Sequence, residues 1–118
     1  MTISDSHIMS QIFPKIIQDL PEANIPIDGA LGYLFQGDTS QVIFVEFKKD
    51  VEMPQHSHEE QWEVVLEGKV DYFSKGQKHT YSKGDRFFVP CGQRHSAKIY
   101  SGYAAIIFFN EKHRYKKK

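Results

Sequence analysis

The stretch that decides the fold is Pro54-Gln55-His56-Ser57-His58-Glu59-Glu60-Gln61-Trp62-Glu63-Val64-Val65-Leu66-Glu67-Gly68. Its second half, Gln61 to Leu66, is a short run rich in β-branched and apolar side chains that ends at Glu67-Gly68, a pair suited to a tight turn. Its first half carries two histidines separated by one residue. On a strand, side chains two apart project from the same face, so His56 and His58 can reach one ion together.

Working outward, the same grammar repeats. Toward the N-terminus lie LGYLF (31–35), QVIFVEF (41–47) and VEM (51–53). Toward the C-terminus lie KVDYF (69–73), KHTY (78–81), RFFV (86–89), SAKIY (96–100) and YAAIIFF (103–109). The punctuation between them consists of turn formers: Gly37-Asp38-Thr39-Ser40, Lys49-Asp50, Ser74-Lys75-Gly76, Ser82-Lys83-Gly84-Asp85, Pro90-Cys91-Gly92 and Ser101-Gly102. Many short strands at this spacing predict an all-β sandwich or barrel. Before them, Ile12, Phe13, Ile16, Ile17 and Leu20 recur at helical spacing around Pro14, and Pro21 closes the segment, which predicts one short helix or an irregular lid. Residues 1–10 are polar and aperiodic and read as an arm, and residues 11–118 as a single domain.

The totals narrow the function. A chain of 118 residues supports one core. Fifteen Lys and Arg balance fifteen Asp and Glu, so no global field draws the chain to nucleic acid or an anionic membrane. The basic end, 112–118, reads as a solvated, mobile tail. A single cysteine, Cys91, excludes an internal disulfide and any multi-thiolate zinc site, and is read as a small turn residue. No leader pattern or membrane-length apolar run is visible, so a cytoplasmic protein is expected.

Downstream of the His-x-His pair lies a second ordered set, Gly84, Asp85, Pro90, Gly92 and His95. Its glycines and proline make turns around the strand 86–89 and deliver a third imidazole from another part of the sheet. Here the sequence resembles the cupin family. The second cupin motif matches from Gly84 through Pro90 and Gly92 to His95 with the family spacing. The first matches at His56, His58 and the closing Gly68. The resemblance covers residues 31–110 and implies a double-stranded β-helix, or jelly-roll barrel, with a short N-terminal helix or extended arm. It also implies one divalent metal (Fe, Mn, Ni, Co or Zn) on His56, His58, His95 and a side-chain oxygen.

Three departures from the family pattern bear on the site. The glycine that opens the first motif is missing, so Lys49-Asp50 must make that turn. Counting back from Gly68 places Gln61 where the family has glutamate, and the family asparagine of the second motif falls on Ile99. Glu63, two residues on, faces the same side as Gln61 on a regular strand and is the alternative fourth ligand. If Gln61 is the ligand, Glu63 is left to orient it, to act as general base or to touch substrate; its bland reading is a solvent-facing or salt-bridged strand carboxylate.

An open metal position suits a metalloenzyme acting on a small oxygenated molecule, such as a sugar derivative or keto acid, by Lewis-acid or dioxygen chemistry. The neutral glutamine favours the Lewis-acid route. The alternative is a metal-dependent binding or sensor module without chemistry. Candidate pocket residues are Phe44, Trp62, Ile99 and Phe108; Glu46 reads as outward-facing, and His7, His79 and His113 as surface histidines. The expected partners are a small-molecule ligand and a second copy of the chain, with the segment carrying Ile12, Phe13, Ile16 and Ile17 either covering a sheet edge or extending onto the second subunit.

Overall fold

The computed structural model describes residues 12–118. The arm at residues 1–10 and His7 lie outside this range. Nine strands follow one helical turn: α1 (Lys15–Gln18), β1 (Ala30–Gln36), β2 (Gln41–Phe47), β3 (Val51–His56), β4 (Gln61–Glu67), β5 (Lys69–Ser74), β6 (Gln77–Ser82), β7 (Arg86–Val89), β8 (His95–Ile99) and β9 (Ala104–Phe109). Each strand coincides with one of the nine runs read from the sequence. They form two antiparallel sheets, β1-β2-β9-β4-β7 and β3-β8-β5-β6, which face each other as a jelly-roll-like barrel.

The core lies between the sheets, because alternate residues of each strand point inward. From the larger sheet come Leu34, Ile43, Val45, Val65, Ala105 and Phe109; Val70 and Ile99 oppose them. Gly68 makes the tight turn from β4 to β5. It has φ +74, and a Cβ there would meet the Tyr103 backbone at 2.8–2.9 Å. Only glycine meets both conditions, the left-handed conformation and the close approach. That approach sets Tyr103 at the closed end of the barrel, where it is 1% exposed.

The N-terminal segment forms one short helix, as expected, and the residues that follow it cover the edge strand β1: the Leu34 N–H bonds the Pro21 carbonyl at 2.8 Å and the Ala23 N–H bonds the Gly32 carbonyl at 2.9 Å. Phe13 is buried against Tyr33 and Phe44, edge-on to both rings, on the outer face of the larger sheet. Ile12 and Ile16 stay exposed.

The C-terminal segment corrects the reading of a free tail. Gln41 accepts the Tyr115 N–H through Oε1 and donates its amide to the Tyr115 carbonyl. Asn24 N–H bonds the Lys116 carbonyl at 2.7 Å, and the Lys118 N–H bonds the Glu22 carbonyl at 2.8 Å. A strap is therefore tied across the barrel mouth by backbone and amide bonds that the lysine-rich composition conceals.

Candidate metal centre

Pro54 removes one ladder donor from β3. Between Met53, opposite Ala97, and His56, opposite His95, β3 carries an extra residue, a bulge that re-aims the strand end. His56 and His95 thus become cross-strand neighbours with ring centroids 4.3 Å apart. His58 lies beyond the strand, so strand alternation does not place it as the sequence suggested. Its carbonyl accepts the Gly92 N–H at 2.9 Å, which ties the His-x-His segment to the glycine turn preceding His95. The ring of His58 comes within 5.2 Å of His56 and 4.9 Å of His95, centroid to centroid.

One ligand nitrogen from each histidine lies within 4.8 Å of the others. Each Nδ1 sits against a backbone carbonyl: His56 on Pro54 at 2.7 Å, His58 on Glu59 at 2.7 Å and His95 on Gln93 at 2.9 Å. A carbonyl only accepts, so in all three rings Nδ1 carries the proton and Nε2 keeps its lone pair. Burial pushes the His58 pKa down to about 4 and lowers that of His95, so both imidazoles are neutral near pH 7. Three imidazole rings, each oriented by its Nδ1–carbonyl bond and with their ligand atoms brought to one place, are a donor set that fits a divalent transition metal.

Gln61 and Glu63 both point inward from β4 and are buried, 8% and 6% exposed. The Gln61 amide donates to Glu63 Oε1 at 3.0 Å, and the Tyr103 phenol donates to Glu63 Oε2. Burial raises the Glu63 pKa to about 7, against the opposing pull of these two hydrogen bonds. Burial likewise raises the Tyr103 phenol, reinforced by the carboxylate beside it.

These groups line one cavity of about 80 Å³, whose walls include Ile99, Phe109, Tyr72 and Arg114. Tyr72 stacks on His95 at 5.2 Å and receives the Gln93 amide at 2.8 Å, which braces the segment leading into His95. Of the candidate pocket residues, Ile99 lines the cavity. Phe44, Trp62 and Phe108 lie on the opposite face of the larger sheet, because Trp62 alternates with Gln61 and Glu63, Phe108 with Ile107 and Phe109, and Phe44 with Ile43 and Val45. Glu46 shares that outer phase with Phe44, beside Lys48 at 3.8 Å. His79 and His113 are exposed.

The Cys91 thiol donates to Glu59 at 3.2 Å, and that carboxylate holds it above its ordinary range, so it remains a protonated turn residue. Sequence reasoning missed Tyr103, Tyr72 and Arg114. Their only available signals were the inward phase of Tyr72 on its strand and the glycine that brings Tyr103 close. Nothing local announced Arg114.

The cupin-domain family model matches residues 43–109, more than half of the chain. The chain belongs to the cupin family. No curated protein matches the sequence. Among solved structures, this cupin is similar to an RmlC-like cupin from Shewanella frigidimarina, at 21% identity and TM-score 0.70, over 90% of this chain and 95% of that one. It is also similar to KdgF from Halomonas sp., at 21% identity and TM-score 0.65, over 78% and 88% of the two chains. One part of Bacillus subtilis oxalate decarboxylase, an enzyme with Mn(II) centres, matches at 17% identity and TM-score 0.63, over 82% of this chain and 29% of that one. At these identities the likeness is one of fold. No helix among the described residues is long and apolar enough to cross a membrane.

Proposed function

We propose that this cupin is a metalloenzyme that holds one divalent transition metal on Nε2 of His56, His58 and His95 and on the side-chain oxygen of Gln61, and acts on a small oxygenated molecule such as a sugar derivative or keto acid. The observation that carries the reading is the set of three Nδ1–carbonyl bonds, which leaves three Nε2 lone pairs together in one cavity. Bound there, the metal supplies a Lewis acid that polarises a carbonyl or hydroxyl oxygen.

Gln61 serves as the fourth ligand because its amide nitrogen is committed to Glu63, leaving Oε1 as its remaining polar atom. Both Glu63 oxygens receive hydrogen bonds, so its role is to orient Gln61 and keep a proton store beside the cavity. A neutral fourth ligand leaves the full charge of the ion to act on substrate.

The test is metal analysis of protein purified without a nickel resin, for the wild type and for His56→Ala, His95→Ala, Gln61→Ala and Glu63→Ala. About one equivalent in the wild type, lost in both histidine variants and weakened in Gln61→Ala, is the expected result. A wild type without divalent metal overturns the reading. Retention in Gln61→Ala with loss in Glu63→Ala moves the fourth ligand to Glu63. Turnover of a candidate keto acid or sugar that stops under strict anaerobiosis counts against the Lewis-acid role.

A further inference from the structure

The C-terminal strap carries one cation to the metal cavity. Arg114 lines the same cavity as the three histidines, Gln61 and Glu63, and its side chain is 26% exposed. Its guanidinium lies over the Phe109 ring at 5.8 Å and beside Tyr115 at 5.5 Å. Nε is buried and has no hydrogen-bond partner among the described residues, and the nearest carboxylate, Glu111 Oε1, stands 3.9 Å from it, too far for a hydrogen bond. Glu59, the other acid at the mouth, takes the Cys91 thiol, and within the cavity Glu63 has both oxygens occupied. The protein thus spends a whole strap to hold a planar fork of donors against the mouth and leaves a buried donor without an acceptor.

We infer that Arg114 is a substrate-binding residue that receives the carboxylate of a small acid whose hydroxyl or keto oxygen lies toward the three histidines. This rests on the metal-site reading above and deepens it by naming the substrate class. Charge supports it: imidazole and amide ligands bring no negative charge to offset a divalent ion, and Arg114 adds a further positive charge, so an anionic ligand is the complement. Size supports it too. At about 10–15 Å³ for each water-sized group, the 80 Å³ cavity admits an acid of a few heavy atoms rather than a nucleotide or an oligosaccharide.

The experiment is calorimetric titration of the zinc-loaded protein with lactate, with its uncharged analogue lactamide, and with inorganic phosphate, in wild type, Arg114→Gln and Arg114→Lys, each first checked for metal content and circular dichroism. The wild type should prefer lactate to lactamide by about tenfold, the preference should vanish in Arg114→Gln, and Arg114→Lys should restore part of it. An unchanged preference in Arg114→Gln, or phosphate binding without lactate binding, overturns the inference. If the wild type takes up no zinc, the metal-site reading fails instead. The same titration on metal-free protein then tests Arg114 alone, through whether any lactate preference depends on it.

A separate observation concerns the outer face of the larger sheet. Phe35 pairs with Val42, Val42 with Phe108, Phe108 with Trp62, and Trp62 with Phe88. One apolar row therefore crosses all five strands, and its four aromatic rings are 42–56% exposed. We propose that this row is the interface with a second copy of the chain. At about half of the 150–250 Å² an aromatic side chain offers, the four rings alone present about 400 Å² per copy. With the flanking sheet surface this reaches the roughly 1,000 Å² that a specific interface needs. The row is suited to pairing with itself: a two-fold axis through Phe108 sets Phe35 against Phe88 of the second copy and Val42 against Trp62.

Trp62, the single tryptophan, reports on this face directly. Sedimentation at micromolar concentration should give a dimer with blue-shifted Trp62 emission that moves to the red on dilution, and Phe108→Glu should give a folded monomer. A wild-type monomer overturns the proposal. With blue-shifted emission, such a monomer would make residues 1–11 the occupant of the face; a dimer that persists in Phe108→Glu places the interface elsewhere.

Discussion

Gln61 donates its amide to Glu63 at 3.0 Å, so the neutral and the acidic residue that the sequence left competing for one corner of the site are joined as a pair. Exchanging the amide for a second carboxylate breaks that relation. In metal-free protein, Gln61→Glu places two acids side by side in a buried site and removes one donor from Glu63, a loss of about 1–3 kcal/mol in unfolding free energy. A divalent ion compensates the added charge. The zinc-induced rise in Tm should therefore be larger in Gln61→Glu than in the wild type, as read by differential scanning calorimetry with and without metal. Equal rises would mean that Gln61 does not face the ion.

Tyr103 supplies the other hydrogen bond to Glu63 from the closed end of the barrel. Tyr103→Phe keeps the ring volume and removes only that donor. Unfolding of the metal-free variant in urea should show a loss of about 1–3 kcal/mol, the cost of a buried acceptor without its partner. Glu63→Gln in the same background should lose less than it does in the wild type, because the two residues act as one unit.

The arrangement of strands was legible in the sequence because it rests on local signals. Alternating apolar residues and turn formers act within a few positions of each other, and the two-residue period that buries Val65 and Val70 is visible without tertiary knowledge. His95 was legible through the glycines and proline that shape its approach. What escaped depends on contacts across long sequence separations. The sides of Trp62 and Phe108 were misjudged because bulk says nothing about strand phase; counted from Gln61, the period itself puts Trp62 outside. Arg114 and the strap depend on Gln41, Asn24 and Glu22, more than seventy positions away, and nothing near Arg114 encodes them.

Gly68 links that local grammar to the site. Gly68→Ala places a Cβ within 3 Å of the Tyr103 backbone at a left-handed φ. The variant should lose about 2 kcal/mol or more in urea unfolding. Gly76→Ala provides the comparison: its φ is also positive, at +73, but a Cβ there meets nothing within 4 Å. It should therefore cost less, and the difference between the two isolates the crowding at Tyr103 from the backbone conformation.

Asp71, on the outer side of the smaller sheet, receives the Tyr100 phenol at 2.6 Å and the Thr80 hydroxyl at 2.7 Å. The phenol first and the hydroxyl second hold its carboxyl below the ordinary range. A carboxyl whose folded pKa is depressed binds fewer protons in the folded than in the unfolded chain. Its stabilisation is therefore complete above the unfolded value of about 3.9 and fades as pH falls through the folded one. Asp71→Asn should accordingly be less stable than the wild type at pH 6, and the gap between their urea midpoints should close as pH drops below that window. A gap that stays constant from pH 6 to pH 3 would assign the effect to lost hydrogen-bond geometry rather than to charge. Tyr100→Phe distinguishes the donor from the acid, since removing the larger cause of the shift should narrow the pH-dependent part of the gap while leaving Thr80 in place.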